Sequence, residues 1–184
     1  LHEPHLRLLC HEGEFQPLLG ELALHKLDAV LADRPAPPNP ALKTTSQLLG
    51  TSAIAWYAPA RWAQAARANF PYSLAQVPLL LPTEHAAVRA RIDHWLEREH
   101  IRPHIAGEFE DSALLSTFAA SGMGVMPAPA SLGAHLAQTC ALEWVGTTPD
   151  VHEQFHLIYS ARKVMHPLLT RLLAAAADEM LLNE

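Results

Sequence analysis

Several things are scarce in this chain, and each scarcity excludes something. Cysteine occurs only as Cys10 and Cys140, far apart and without Cys-x-x-Cys spacing. That predicts neither a disulfide framework nor a zinc ribbon, and it suits a reducing compartment. Lysine is confined to Lys26, Lys43 and Lys163, and the formal net charge is -6. No basic stripe is present to neutralise phosphates, so this stretch by itself is not expected to bind DNA. No apolar run approaches the roughly 20 residues of a membrane helix, and no membrane partner is expected. The chain opens on Leu1-His2-Glu3-Pro4 rather than on a methionine with a basic and then apolar leader, so further chain is expected before Leu1. What is plentiful is apolar side chain: 49% of 184 residues, enough for one domain or two small lobes with a core that needs no staples.

The apolar residues fall into strand-like and helix-like patterns by turns. Leu6 to Cys10 is a short apolar run, Phe15, Leu18, Leu19 and Leu22 repeat at helical spacing, and Asp28 to Ala32 is a second run, predicting strand, helix, strand. Prolines 35, 37, 38 and 40 then break the chain. Thr44 to Leu49 and Thr51 to Tyr57 are predicted to be extended around Gly50, with a small helix at Trp62. A second such unit starts at Val77-Pro-Leu-Leu-Leu-Pro82; Thr83 is placed to cap a helix whose inward face is Val88, Ile92, Trp95 and Leu96, and Ile105 to Phe109 is the next strand. After a loop at Thr147, Thr148 and Pro149, Gln154 to Ser160 alternates like a strand. Pro167 then opens a helix with Leu169, Leu172, Leu173, Ala176 and Met180 inward. Continuous apolar strands beside single helices suit a parallel sheet covered on both faces, hence an α/β class.

The most informative stretch is Phe109 to Pro129. Asp111 or Ser112 is expected to cap a helix, Leu114, Leu115, Phe118 and Ala119 lie on one helical face, and Gly122 supplies the left-handed residue that ends it. Val125 and Met126 form a short strand that Pro127 and Pro129 are predicted to stop.

With Glu21 to Pro35 and Phe155 to Arg171, where Arg162 and Lys163 end a strand and His166-Pro167 opens the last helix, this stretch resembles the effector-binding domain of LysR-type transcriptional regulators. Leu27 to Pro35, Gly107 to Leu115 and Ala161 to Pro167 look most like its NhaR-like subgroup, sodium-responsive activators of a sodium/proton antiporter operon. The resemblance implies a two-lobed fold of the type II periplasmic-binding-protein kind, with two crossing strands and a ligand between the lobes. One lobe would be residues 1–80 with 152–184, lacking its first strand and helix, and the other 81–151. The crossing strands would lie near Leu79 to Leu81 and Gln154 to Ser160. It further implies a cytoplasmic homodimer, with promoter DNA and RNA polymerase as partners only through a winged helix-turn-helix outside this stretch. A solute-binding receptor of the same fold, serving a transporter, is the alternative.

Other motifs have plainer readings. His152-Glu-Gln-Phe-His156 matches a zinc-protease pattern, but that pattern needs a helix; in a strand the two imidazoles stand roughly 13 Å apart and cannot share an ion. Gly122-Met-Gly124 follows a helix and precedes a strand, the reverse of a dinucleotide fingerprint. His94 and Glu97 lie one helical turn apart within a run that reads as a solvated face. The 12 histidines are mostly isolated among polar neighbours, and Ser112, Ser116 and Ser121 lack a base and an acid at motif spacing. Nothing points to catalysis, and no cofactor is expected.

Ligands of open α/β folds gather beyond the carboxyl ends of strands. Those ends carry Asp33 and Arg34; Thr83, Glu84 and His85; and Glu110, Asp111 and Ser112. Helix starts there suit an anion, whereas Asp33, Glu84, Glu110 and Asp111 offer oxygens for a small hard cation such as sodium or lithium. Each of Thr83, Asp111 and Ser112 serves equally well as a simple helix cap.

Overall fold

The computed structural model describes residues 7–39, 43–161 and 167–181. In chain order the elements are α1 (Phe15–Ala23), β1 (Ala29–Ala32), β2 (Thr44–Pro59), α2 (Ala60–Arg67), β3 (Pro78–Pro82), α3 (Ala87–Arg98), β4 (His104–Phe109), α4 (Ser112–Ala120), β5 (Met126–Pro129), α5 (Gly133–Cys140), β6 (Leu142–Ser160) and α6 (Pro167–Leu181). Short 3-10 turns at Tyr72–Gln76 and Ala130–Leu132 complete the list. One set of strands pairs in the order β1-β6-β2-β5, and β3 pairs with β4.

The chain divides into two compact units, Leu1–Gln47 with His156–Glu184, and Leu48–Phe155. It passes from one to the other twice, within β2 and within β6. The divisions therefore fall at 47/48 and 155/156, not at 80/81 and 151/152. The reason is packing: Ile54, Trp56, Ala58, Ala63, Leu74 and Val77 share one buried cluster with Val88, Ile92, Trp95 and Leu96 of α3. For the same cause Leu79 to Leu81 is not a crossing strand; β2 crosses instead, while the expected crossing at Gln154 to Ser160 is occupied by β6.

In the first unit, β1 pairs antiparallel with β6, Val30 opposite Ile158 and Leu31 opposite Leu157. α1 lays Leu19 and Leu22 onto Val30 and Ile158, which follows from the helical spacing of its leucines. The strand expected at Leu6 to Cys10 does not form over its described part: residues 7–14 carry no regular structure, and Leu8 and Leu9 are exposed. A strand needs a partner ladder, and none pairs with this run among the described residues.

The second unit shows why Val77 to Pro82 is continuously apolar. Successive strand side chains point to opposite faces. Thus Leu79 and Leu81 join the cluster around Trp95, while Leu80 joins a second cluster with Tyr57, Leu115, Met126 and Leu142. β2 does the same, with Ile54, Trp56 and Ala58 on one side and Ala55 and Tyr57 on the other. Each fully buried leucine is worth about 1.5–3 kcal/mol relative to exposure. On the α3 side Trp56 and Trp95 stand 6.0 Å apart, and the Trp56 indole N–H donates to Thr148 Oγ1 at 3.0 Å.

The sheets are mixed rather than wholly parallel. β3 and β4 run parallel, whereas β1–β6 and β2–β5 are antiparallel. Pro127 and Pro129 do not stop β5; they lie in it, opposite Trp56 and Ile54. An edge strand tolerates proline because the missing N–H is not needed by a further neighbour. β2 runs unbroken through Gly50, and β6 already starts at Leu142, so Thr147 to Pro149 is strand rather than loop. On α4 only Leu115, Ser116 and Ala119 are buried; Leu114 and Phe118 stay exposed, Phe118 packing on Phe109 with ring centroids 5.1 Å apart. His152 to His156 lies in β6, in extended backbone as expected. Arg162, Lys163 and His166, and the side chain of Met180, lie outside the described residues.

Gly-x-Gly after α4 has a steric cause at each glycine. Gly122 takes φ +96 and ends the helix. Gly124 passes so close to β3 that a Cβ there would meet Pro78 O at 2.6 Å, and this approach lets Val125 N donate to Pro78 O at 2.8 Å.

Candidate functional site

The candidate site lies in the second unit, where parallel β3 and β4 end side by side with Pro82 opposite Phe109. The first amide beyond β3, Thr83 N, donates to Phe109 O at 3.0 Å, so both chains turn outward from one point. Thr83 to Ala86 then forms a turn closed by Ala86 N donating to Thr83 O at 3.2 Å. Thr83 is consequently not the cap of α3. The N-cap is Ala86, which has no side-chain hydroxyl or carboxylate to cap with, because the turn places four residues, Thr83 to Ala86, between strand and helix.

α4 begins differently. Asp111 is its N-cap, and Oδ1 accepts from Leu114 N at 2.6 Å; Ser112 is the first helical residue and is exposed. This is the capping role expected of Asp111, and it occupies one carboxylate oxygen. The two turns face each other through His85 and Glu110, whose Nε2 and Oε1 are 3.7 Å apart with both side chains mostly in solvent. At that exposure the pair contributes little. Glu84 is exposed on the same turn.

Beneath the turns sits a residue that sequence reasoning missed. Arg89 on α3 is 6% exposed, yet it is charged. Its Nε donates to both oxygens of Asp93 at 3.0 and 2.9 Å; Nη1 donates to Pro82 O at 2.6 Å and to Glu108 Oε1 at 2.5 Å. Burial alone would lower its pKa, but the hydrogen bonds it donates to Glu108 and Asp93, with their negative charge, outweigh that and raise it. One guanidinium thus ties the last residue of β3, the end of β4 and the first turns of α3 together. The only hint in the sequence was its i, i+4 spacing to Asp93, which reads equally well as a solvated pair.

Of the eight residues singled out, the structure brings Thr83, Glu84, His85, Glu110, Asp111 and Ser112 together at these strand ends. Asp33 and Arg34 belong to the first unit, beyond β1, where Arg34 Nε and Nη2 donate to Asp33 Oδ1 and Oδ2 at 2.8 and 3.2 Å. That fork raises the Arg34 pKa, and the guanidinium also lies 5.5 Å from the Phe15 ring centroid. The Asp33 carboxylate is therefore engaged by a cation of its own chain. Among the described residues no group of three or more His, Cys, Asp and Glu side chains is arranged to hold a metal ion. No helix among them is long and apolar enough to cross a membrane.

The family model of the LysR substrate binding domain matches residues 1–181. The transcriptional activator protein NhaR of Escherichia coli is 26% identical over 167 residues, covering 91% of this chain and 54% of that protein. The nitrogen assimilation regulatory protein nac of Escherichia coli is 27% identical over 187 residues, covering 98% and 56%. The chain thus spans about half the length of the curated relatives it matches. Among solved structures, the reduced regulatory domain of OxyR2 from Vibrio vulnificus superposes with a TM-score of 0.68 at 17% identity, covering 95% of this chain and 82% of that one. At that identity the likeness concerns the fold.

Proposed function

The chain belongs to the LysR substrate binding domain family, and from that premise we propose that it is the effector-sensing and dimerising part of a bacterial, cytoplasmic transcriptional regulator. The observation that carries the site is the meeting of the parallel β3 and β4 ends with the starts of α3 and α4. A small effector would dock there on Thr83 to His85 and Glu110 to Ser112. Backbone N–H groups at an α3 start without side-chain cap suit its acceptor or anionic groups, and Ser112 supplies a hydroxyl. Binding acts by preferring one conformation of the domain over another, and a DNA-binding domain elsewhere in the full-length protein reads the shift. Dimerisation is supported by exposed apolar side chains on α4, Leu114 and Phe118, which a second copy related by two-fold symmetry would cover.

Similarity to NhaR favours one finer reading, sodium or lithium as the effector, with Glu84 as the protein's main carboxylate and Glu110 or Asp111 beside it. The test uses the full-length regulator and activation of its target promoter. Glu84→Gln and Ser112→Arg should each blunt the response to effector while promoter binding persists. Wild-type responses in both variants would remove the site. Titration with sodium at fixed ionic strength and pH separates the finer reading: a response reproduced equally by potassium means that no specific cation site exists.

A further inference from the structure

Away from the strand ends, the second unit holds a cavity of about 440 Å³ that the reading above does not use. Its floor is Tyr57, its sides are Gly133, Ala137 and Ala141 of the α5 region, and its rim is Glu143 and Trp144 of β6. That volume lies in the range of small-molecule sites, roughly 300–1,000 Å³.

Three features make it more than a gap between elements. Trp144 is 55% exposed, yet it is held at both ends: its indole N–H donates to Thr147 Oγ1 at 3.1 Å, and its carbonyl accepts from Arg67 Nε at 2.7 Å. A large exposed aromatic face already fixed in place loses little entropy on binding. Tyr57 is only 2% exposed, and its hydroxyl has a single contact, Ala130 O at 3.5 Å, well beyond the 2.5–3.0 Å of an O–H···O bond. That buried hydroxyl is reachable because residue 133 is glycine; a Cβ there would stand 2.9 Å from it. The one charge on the rim, Glu143, is already met by Arg67 Nη2 at 2.9 Å.

We infer that this cavity is a second ligand site, separate from the effector site, for a small uncharged planar ring compound bearing a hydroxyl. The ring lies on Trp144 among the small side chains. The ligand hydroxyl accepts from the Tyr57 hydroxyl, whose one long contact is Ala130 O, an oxygen that already accepts from Gly133 N. A charged ligand would find no free counter-charge, and its desolvation would go uncompensated.

Phenol is the probe, titrated into the 15N-labelled chain while the four tryptophan indole N–H resonances are followed. Saturable movement of the Trp144 resonance is expected, with Trp56, Trp62 and Trp95 much less affected. Ala137→Leu, on an exposed helical position, should fill the cavity and abolish saturation. Tyr57→Phe should weaken phenol about tenfold, the worth of one hydrogen bond, and leave toluene unchanged. The inference is overturned if Trp144 shows no saturable shift up to the solubility of phenol, or if Ala137→Leu binds as the parent does. Equal weakening of phenol and toluene by Tyr57→Phe would overturn the hydroxyl pairing.

Discussion

Replacing Gly124 by alanine adds one carbon where β5 approaches β3, and its cost can be worked from the contacts. The new Cβ would lie 2.6 Å from Pro78 O, 3.2 Å from Pro78 C and 3.1 Å from Leu80 Cγ. Two of those neighbours are backbone and cannot swing aside, so the strands must separate. Separation breaks Val125 N to Pro78 O at 2.8 Å and Leu80 N to Val125 O at 2.9 Å, at about 1 kcal/mol each. It also disturbs the packing of Val125, Leu79 and Leu80, all fully buried, adding about 1–3 kcal/mol as in other overpacked cores. The expected loss is about 3–5 kcal/mol. Urea unfolding followed by tryptophan fluorescence is well suited, because Trp56, Trp62, Trp95 and Trp144 all lie in the second unit. With a slope of roughly 2 kcal/mol per molar, the midpoint should fall by about 2 M. Gly50→Ala is the contrast: nothing lies within 4 Å of its Cβ, and alanine is preferred in a strand by about 0.5–1 kcal/mol, so stability should hold or rise. A Gly124→Ala protein as stable as its parent would refute the argument from close approach.

Three further expectations follow from named contacts. Arg89→Leu removes the donor to Pro82 O and the partner of two half-exposed carboxylates; a loss of about 2 kcal/mol is expected in the same urea experiment, and an unchanged midpoint would show that the tie is idle. Burial raises the Tyr57 pKa above its ordinary value of about 10, so the folded state holds that proton longer than the unfolded one. Stability should therefore be unaffected by this group below that value and fall as pH rises toward the folded pKa. Tyr57→Phe should flatten that alkaline decline, and a decline of equal steepness in both proteins would count against it. Leu114→Asp, at an exposed position on α4, should shift sedimentation toward monomer; a dimer of unchanged strength would place the interface elsewhere.

Periodic features were legible in the sequence because one direction of packing decides them. The α3 face at Val88, Ile92, Trp95 and Leu96, the α1 leucines, the Asp111 cap and the left-handed Gly122 all follow from spacing or from a single backbone need. Features set by distant neighbours were not. The division at residue 48 depends on Trp56 meeting Trp95, and the prolines of β5 are admissible only because that strand lies at an edge. Thr83 has the right chemistry for a cap and follows a strand, but the turn before α3 places Ala86 there instead. Of the site residues, those on the β3 and β4 turns were recoverable from the rule about strand ends, whereas Arg89 reads in one dimension as an ordinary surface charge. The engagement of Asp33 by Arg34 was equally hidden, since adjacent opposite charges rarely announce a fork.

The double passage through β2 and β6 also sets an order of assembly. The second unit is one uninterrupted stretch of chain, so every partner it needs has been synthesised by Phe155. The first unit is split: Val30 must wait for Ile158, and until then the apolar face of α1 has no sheet to cover it. Loop closure over so long an intervening stretch is slow unless that stretch has already become compact. On a ribosome the later unit in sequence is therefore the first to finish, and a core lesson such as Gly124→Ala would prolong the exposure of Leu19 and Leu22 without touching them. A nascent chain halted before His156 should accordingly resist protease from Leu48 onward while remaining cleavable between Phe15 and Ala32.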